Sequence, residues 1–267
     1  MKIKVMSYNV LHGFRNFDPP FDLEKDRLEA VQKVVRAEKP DVLGITEACF
    51  GSPSQFGIFM DYARLFNFQY FKYCPSKREW GSALLSQYPI SNARAVANEN
   101  GSGIEAEILK EGGVVNVGLV HPRFDATENE KIKYVKAFLA KQKKRQIILG
   151  DFNAISDKDT YDRATLIREY RKFDSDAEHS VDKYLERKLI PYLRSRGLID
   201  ALQSVNSHKP TIPTKGYGYA KTNMRIDFIF HTLDLRVIDA KTIKNKMTDM
   251  ASDHYPIVTT FDIKWKY

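Results

Sequence analysis

The residues of this chain that could carry out chemistry stand at the ends of apolar, strand-like runs. Four such runs end in a polar or charged side chain, namely Asn9 in IKVMSYN, Glu47 in DVLGITE, His121 in VVNVGLVH, and Asp151 with Asn153 in QIILGDFN. Carboxylates and amides can bind a hard divalent cation. Imidazoles beside such a cation can bind a phosphate oxyanion.

Two segments later in the sequence contribute the same residue types. Asp227 lies inside the apolar run MRIDFIF, where a buried charge needs a partner. Asp253 and His254 stand immediately before the strand-like run YPIVTTFDI. Adjacent residues of a regular strand point to opposite faces. This pair can therefore reach one substrate only if it lies at the irregular mouth before the strand begins.

The chemistry of the whole set favours metal-assisted hydrolysis. Each residue alone has an ordinary structural explanation, such as a turn at Asn9 or a tight turn in GDFN. The residues are harder to explain together, because strand ends on one edge of a sheet face a common mouth. The sequence has neither a cysteine cluster nor a two-histidine helix motif, which disfavours zinc. Oxygen ligands suit Mg²⁺ or Mn²⁺, so the set predicts hydrolysis of a phosphoester.

Strands and helices that could position these side chains recur along the chain. Amphipathic helices are predicted at Leu23–Lys39, with Asp22 as N-cap and Pro40 as stop, and at Asn129–Lys143. Apolar alternation and β-branched residues predict eight strands, at Ile3–Val10, Asp41–Thr46, Ser82–Ser86, Ile104–Ile108, Val114–Val120, Gln146–Leu149, Arg225–Phe230 and Tyr255–Ile263.

The charged stretch from Ser156 to Arg196 differs from the rest of the chain. It is compatible with helix and predicts an insertion, at about 156–196, of two surface helices, the second of which ends at Gly197. No repeat or Gly/Ser linker interrupts the sequence, and strands occur before and after every helical segment. We therefore predict a single domain, residues 1–267, in which layered sheets are flanked by helices.

The composition is that of an ordinary globular protein. Hydrophobic residues make up 43% and charged residues 28% of 267 positions, so the core can be large without a disulfide or metal staple. Cys49 and Cys74 have neither zinc-site nor disulfide-framework spacing, which favours buried free thiols. The N-terminus lacks a signal-peptide core, and no apolar run could span a membrane. We expect a cytoplasmic protein, with a monomer favoured.

The formal net charge of +8 leaves two interpretations open. A basic balance favours an anionic partner, such as nucleic acid, an acidic lipid headgroup or a phosphorylated small molecule, but it can equally serve solubility alone. Tyr217 and Tyr219 could stack on a base, or simply pack within their loop. Met247 and Met250 could wedge into a groove. Basic residues that could neutralise backbone phosphates are Lys72, Lys77, Arg78, Arg123, Lys241, Lys244 and Lys246.

The motifs as a group resemble those of the endonuclease/exonuclease/phosphatase superfamily, which includes deoxyribonuclease-like and AP-endonuclease-like hydrolases. The matching pieces are SYNVLHG, ITEA, GSALLSQYPI, VGLVHP, IILGDFNA, RIDFIF and SDHYPI, and they occur in the family's order over nearly the whole chain. GDFN followed by RID and SDH is a specific combination, although each piece alone is weak. The resemblance implies an α/β fold, a four-layer α/β/β/α sandwich of two packed mixed sheets, with the site at one end.

The resemblance also implies which residues bind metal and activate water. A Mg²⁺ ion would be held chiefly by Glu47, with Asn9 and Asp253 nearby, and Mn²⁺ could replace it. Asp151 would orient or deprotonate the attacking water. Asn153 would hold the phosphate or that water.

On the phosphate side, the resemblance assigns the two imidazoles. His254 would bind the scissile phosphate and stabilise its developing charge. Asp227 would accept a hydrogen bond from His254, which fixes the tautomer and favours the imidazolium. His121 would be the second imidazole, and Glu79 could support it.

This sequence departs from the family pattern in ways that bear on the substrate. Thr46 stands where the family usually has Gln before the metal-binding Glu; a threonine can still donate a hydrogen bond, so we expect retuning of the metal site and not its loss. The stretch GYGYAKTNMRID lacks the tryptophan that the AP-endonuclease group tends to carry, which argues against an abasic-site specialist. His121 favours the deoxyribonuclease and phosphatase branches.

Three hypotheses for function remain. The first is a Mg²⁺-dependent nuclease that hydrolyses DNA or RNA by metal-assisted attack of water on phosphorus. The alternative is a phosphatase or phosphodiesterase of a small-molecule or lipid substrate, of the inositol phosphate or sphingomyelin type, which would need a narrower pocket. A non-catalytic binding module is disfavoured, because the whole set of site residues is intact.

Overall fold

Two six-stranded sheets form the centre of the computed structural model, which describes residues 1–16, 22–48, 61–76, 80–111, 113–140, 143–207, 209–217 and 222–263. In chain order the strands are β1 Lys2–Asn9, β2 Val42–Ala48, β3 Tyr70–Cys74, β4 Gly81–Ser86, β5 Ile90–Asn98, β6 Gly101–Lys110, β7 Gly113–Pro122, β8 Gln146–Asp151, β9 Ile199–Asp200, β10 Asp227–His231, β11 Leu235–Thr242 and β12 Ile257–Ile263. The helices are α1 Lys25–Glu38, α2 Tyr62–Phe66, α3 Glu128–Val135, α4 Arg163–Tyr170, α5 Ala177–Leu185, α6 Leu189–Ser195 and α7 Lys246–Ala251.

The topology places one parallel strand pair inside each sheet. The first sheet has the order β11–β12–β1–β2–β4–β3, and the second has the order β5–β6–β7–β8–β10–β9. The pairs β1/β2 and β7/β8 are parallel, and the other neighbours are antiparallel. At the carboxyl ends of these pairs Asn9 lies opposite Thr46, and Val120 lies opposite Gly150. Each parallel pair therefore presents two strand ends at the same edge of its sheet.

The two sheets pack face to face and carry helices on their outer faces. Gly44 marks the closeness of the sheets, because a Cβ atom there would lie 2.8 Å from Leu119 Cδ1 and 2.9 Å from Leu149 Cδ1 of the opposite sheet. On the outer face of the first sheet pack α1, α2 and α7, and on that of the second sheet pack α3 and α6. This arrangement confirms the predicted four-layer α/β/β/α sandwich.

Helix boundaries differ from the predicted ones. The first helix begins at Lys25 after Glu24, and Asp22 is not its N-cap. The helix predicted to reach Lys143 ends at Val135 and tightens into a 3₁₀ turn over Lys136–Phe138. Its beginning is fixed by a capping box, in which the Thr127 hydroxyl and the Glu130 carboxylate each bond the other residue's backbone N–H.

The charged insertion contains three helices, α4 to α6, where two were predicted. Arg187 adopts a left-handed backbone conformation with φ of 48°, and this ends the helical run between α5 and α6. Pro191 does not break α6, because it lies in the first turn, where its missing N–H has no helical partner. Nor is the insertion purely a surface feature, because Leu166 and Val181 are buried with Met224 in a cluster of their own.

All eight predicted strands are present, with small shifts at their ends. Asp227 is the first residue of β10 and not an interior residue, because the strand begins two residues later than predicted. Cys74 is buried with a free thiol, as predicted. Among the residues that the structure describes, no helix combines the length and apolar character that a membrane crossing requires.

Candidate active site

Asn9 joins the ends of the two sheets at the centre of the candidate site. Its Nδ2 donates to Glu47 Oε1 at 2.9 Å and to Asp151 Oδ2 at 3.1 Å. Its Oδ1 accepts from the backbone N–H of Leu11 at 3.0 Å. The amide nitrogen of Asn9 therefore faces the carboxylates, so the side chain holds Glu47 and Asp151 in place, with its oxygen directed to the backbone.

Glu47 is held from two sides at the end of β2. Its backbone has a φ of 54° at a register shift against β4, which turns the side chain out of the regular ladder. Oε2 accepts from the backbone N–H of His12 at 2.9 Å, and His12 Nε2 lies 3.8 Å from it. Burial alone would raise the pKa of Glu47, but the charges of His121 and His12 and the hydrogen bonds outweigh it and lower that pKa. Glu47 is therefore an anion at neutral pH.

Asp151 ends β8 in a turn that the sequence makes obligatory. Gly150 has φ of 146°, and a Cβ there would lie 1.9 Å from Val120 O, so only glycine fits. The backbone N–H of Asn153 donates to Asp151 Oδ1 at 2.8 Å, and Asn153 Nδ2 donates to Pro122 O at 3.0 Å. Burial and the nearby charge of Asp227 raise the pKa of Asp151 to about 7.

Asp227 and His254 form a buried carboxylate–imidazole pair. His254 Nδ1 lies 2.9 Å from Asp227 Oδ2. Because a carboxylate only accepts, Nδ1 carries the proton and Nε2 points toward Asp151 Oδ2, 3.8 Å away. Burial disfavours the imidazolium, but Asp227 and Asp253 outweigh it and raise the pKa of His254 well above its usual range. His254 is therefore a cation at neutral pH.

The Asp253–His254 pair lies before β12, which begins at Ile257, and this confirms the geometric requirement set by the sequence. The Ser252 hydroxyl fixes the segment, because it donates to Asn9 O at 2.8 Å and accepts from the backbone N–H of His254 at 3.2 Å. Asp253 Oδ1 lies 4.0 Å from His254 Nε2, so the two side chains face one space.

His121 differs from His254 in charge. Its Nε2 lies 3.8 Å from Asp151 Oδ2 at the end of β7. Burial lowers the pKa of His121, with the nearby charge of His254 acting in the same direction against that of Glu47. The surroundings thus favour the charged form of His254 and the neutral form of His121. Glu79, the proposed support of His121, lies outside the described residues, as do Cys49, Lys77, Arg78 and Tyr219.

Sequence reasoning missed His12, which contacts Glu47, and Trp80, which contacts His12. The ring of His12 stacks on that of Trp80, with centroids 4.7 Å apart and planes 12° from parallel. His12 belongs to the motif SYNVLHG, which was a usable signal, whereas nothing in the sequence distinguished Trp80. Thr46, expected to donate a hydrogen bond, is fully buried, and its hydroxyl has no hydrogen-bond partner within the described part of the chain.

The donor atoms of the site fit a divalent cation. Two groups of possible ligands have all their donor atoms within 4.8 Å of one another, namely Glu47, His121 and Asp151, and Asp151, Asp227 and His254. Asp253 belongs to neither group among the described residues. Burial is the largest cause of the raised pKa of Asp151, and the neighbouring carboxylates of Asp227 and Glu47 add an excess of negative charge. A hard dication would relieve that excess, and oxygen ligands suit Mg²⁺ or Mn²⁺.

A packed pair of sheets that brings an acidic cluster able to bind a metal, a buried carboxylate and a charged imidazole to one edge is typical of a metal-dependent phosphoester hydrolase. The sequence profile of the Endonuclease/Exonuclease/phosphatase family matches residues 6–254. The chain belongs to this family.

Solved structures with the same fold are similar over almost all of this chain. An endonuclease/exonuclease/phosphatase from Beutenbergia cavernae is 19% identical, with a TM-score of 0.68, and the match covers 98% of this chain and 72% of that one. An AP endonuclease from Archaeoglobus fulgidus is 20% identical, with a TM-score of 0.66 and coverage of 98% and 100%. D. rerio TDP2 complexed with single strand DNA product is 14% identical, with a TM-score of 0.63 and coverage of 98% and 99%. No curated protein sequence matches this chain.

Proposed function

We propose that the protein is a Mg²⁺-dependent nuclease that hydrolyses phosphodiester bonds of DNA or RNA. The observation that carries the proposal is the convergence on one space of Glu47, Asp151 and the Asp227–His254 pair. These groups supply the three requirements of phosphoryl transfer to water, which are a metal ligand, a base and a cation that binds the phosphate.

Glu47 is the chief metal ligand in this proposal, Asp253 is a further ligand, and Asn9 holds Glu47 in position. When bound, the ion polarises a phosphate oxygen as a Lewis acid. Mg²⁺ is the expected ion because it takes few protein ligands and keeps several waters, and Mn²⁺ has similar ligand preferences.

Asp151 is the proposed general base. It is about 1% exposed, and burial and Asp227 raise its pKa to about 7 before a metal binds. A bound dication would lower that pKa and keep Asp151 ionised, which is the form that can accept a proton. It takes a proton from the attacking water as the water oxygen bonds to phosphorus and the leaving oxygen departs. Asn153 holds the phosphate or that water.

The two imidazoles serve the phosphate. His254 donates from Nε2 to a phosphate oxygen, and Asp227 keeps the proton on Nδ1, so that the ring is both oriented and charged. His121 is the second group on the phosphate side, and its neutral ring can donate or accept through Nε2 according to its tautomer.

A nucleic acid substrate is supported by the basic side chains next to His254. Lys244 Nζ lies 4.4 Å from the centre of the Tyr255 ring, and the backbone N–H of Lys215 donates to the Tyr255 hydroxyl at 3.3 Å. Both lysines are exposed, and Lys215 Nζ lies 3.7 Å from Asp249 Oδ2. Both can contact backbone phosphates that pass Tyr255. Lys241 has a closer acidic partner, Glu38, at 3.0 Å.

The structural neighbours support the same choice of substrate. An AP endonuclease and a TDP2 complexed with single strand DNA product share the fold. The other two predicted contacts have less support. Tyr217 is half-buried, with the Arg27 guanidinium 5.7 Å from its ring centre, and Met247 and Met250 are exposed on the short helix α7.

The test is a panel of labelled substrates incubated with the protein and Mg²⁺ or Mn²⁺: single-stranded DNA, duplex DNA, abasic duplex and RNA. We expect cleavage of at least one nucleic acid, its loss with a chelator, and a large decrease in Asp151→Asn. Failure to cut any member, together with release of phosphate or headgroup from inositol phosphates or sphingomyelin, would instead establish the small-molecule alternative.

A further inference from the structure

A buried ion pair lies directly behind the loop that carries Asp151 and Asn153. The side chains of Lys131 and Glu128, one turn apart on α3, are 1% and 0% exposed. Lys131 Nζ lies 3.3 Å from Glu128 Oε1. Neither residue has a role in the chemistry proposed above, and burying two charges is expensive unless each is fully hydrogen-bonded.

Lys131 holds the backbone of the loop. Its Nζ donates to Asn153 O at 2.5 Å. Asn153 adopts a left-handed conformation with φ of 46°, so its backbone has left the ladder of β8. Together with the bonds from Asn153 to Asp151 and to Pro122, this contact fixes the residue at its carbonyl, its N–H and its side chain.

Glu128 connects the same pair to the charged insertion. Its Oε2 accepts from the backbone N–H of Lys188 at 2.9 Å and from that of Leu189 at 2.8 Å, the amides at the start of α6. The ammonium of Lys131 also lies 5.1 Å from the centre of the Tyr184 ring on α5. The insertion and the catalytic loop therefore share one buried contact.

Stability alone is a weak explanation for this pair. Apolar side chains of similar volume often stabilise a protein as well as a buried ion pair does, but they could not hold a carbonyl oxygen. What the ammonium adds here is a charge-assisted hydrogen bond of fixed direction to Asn153.

We propose that Lys131 is a positioning residue for the reaction, and that Glu128 makes its position depend on α5 and α6 of the insertion. The inference rests on the proposed function for the roles of Asp151 and Asn153. Lys131 keeps their side chains aligned with the reacting phosphate, and a small displacement of such groups lowers the rate of the chemical step more than it lowers binding.

Lys110 offers a matched control for a substitution at Lys131. Its side chain is 6% exposed, its Nζ lies 3.2 Å from Asp41 Oδ2, and it sits 4.2 Å from the centre of the Tyr88 ring. It thus shares with Lys131 a carboxylate and an aromatic ring as partners, so that the comparison isolates the contact of Lys131 with Asn153 O. Lys110 pairs with Gly113 at one end of the β6/β7 hairpin. The other end, where Gly101 pairs with Pro122, is the end that carries His121. Lys110 therefore lies away from the site.

The experiment compares Lys131→Met and Lys110→Met with the wild type. Hydrolysis of bis(p-nitrophenyl) phosphate with Mn²⁺ gives kcat and KM, thermal unfolding gives stability, and hydrogen exchange by mass spectrometry follows peptides containing residues 150–156. We expect both variants to lose stability. Only Lys131→Met should show a kcat lowered at least about tenfold with KM within about twofold, and faster exchange in the 150–156 peptides.

Several outcomes would overturn the proposal. Equal kcat in the two variants, or unchanged hydrogen exchange at residues 150–156 in Lys131→Met, would show that the Lys131–Glu128 pair contributes to stability only. If Lys131→Met does not fold, Glu128→Gln replaces it. This substitution keeps an acceptor for the α6 amides and removes the charge beside Lys131. An unaltered kcat in Glu128→Gln would refute the coupling between the insertion and the catalytic loop. The exchange measurement does not depend on catalysis. A wild type that cuts no nucleic acid would therefore refute the proposed function, while the position of the loop could still be read.

Discussion

Asp227→Asn is the sharpest test of the charge on His254. The asparagine amide oxygen can still accept the hydrogen bond from His254 Nδ1, which is 2.9 Å long in the wild type, so the substitution removes charge with little change in shape. Without Asp227, the burial of His254 is no longer outweighed. The pKa of His254, raised mainly by that carboxylate against burial, should then fall.

The magnitude follows from the role proposed for the imidazolium. Removing one preorganised donor to the charge that develops in the transition state typically costs about 10²–10³-fold in rate. Asp253 remains, with Oδ1 4.0 Å from His254 Nε2, and retains part of the stabilisation of the imidazolium. We therefore expect kcat/KM at pH 7 to decrease by roughly 10²–10³-fold at most.

The assay is kcat/KM between pH 5 and pH 9. In the wild type the imidazolium persists through neutrality and is lost only as the pH rises through the raised pKa of His254. In Asp227→Asn it should be present only at lower pH, so the alkaline limb of the profile moves toward acid. The raised pKa also stabilises the wild type. That stabilisation is fully present below about pH 6.5 and is lost as the pH rises through the folded pKa.

A control separates this effect from simple destabilisation. Asp159→Asn removes a carboxylate from another buried ion pair, with Arg225 at 3.0 Å, and should lower the free energy of unfolding without moving the pH profile. If Asp227→Asn instead keeps kcat/KM within about threefold of the wild type and retains its pH profile, His254 does not act as an imidazolium and the reasoning fails.

Three further variants test the metal site, the substrate and the buried threonine. Glu47→Gln should weaken Mn²⁺ binding by at least about tenfold in calorimetry, because it removes the negative charge of the chief proposed metal ligand. An unchanged affinity would show that the ion binds elsewhere. The double variant Lys215→Ala with Lys244→Ala should reduce the slope of log affinity for DNA against log salt concentration by about two. An identical slope would show that the DNA backbone binds to another surface of the protein. Thr46→Val should raise the free energy of unfolding by about 1 kcal/mol, because its buried hydroxyl has no hydrogen-bond partner within the described residues; a loss of stability on denaturant unfolding would contradict this.

The sequence predicted the interior strands and missed the edges. The strands without a prediction are β3, β5, β9 and β11, and these lie at the four edges of the two sheets. An edge strand is covered on fewer sides, so apolar and polar residues alternate only weakly along its sequence. Much of β5, for example, is exposed or half-buried. Interior strands such as β8 are buried at every position and give continuous apolar runs.

The candidate site was predictable to the extent that its residues end interior strands. Asn9, Glu47, His121 and Asp151 followed from that rule, and the structure brings all four together. Lys131 could not be found in this way, because it lies within a helix whose charged pattern is that of a solvated surface. Its burial depends on where α5 and α6 pack, which is tertiary information that no local pattern contains.

Asn9 and His254 give the site a further property, since each makes a bond between groups carried by different sheets. Asn9 on β1 donates to Asp151 on β8, and His254 before β12 pairs with Asp227 on β10. Neither sheet alone carries a complete set of site residues. Activity should therefore require that the two sheets remain packed against each other. During heating, activity should vanish as soon as one sheet slides on the other, even while each keeps its strands.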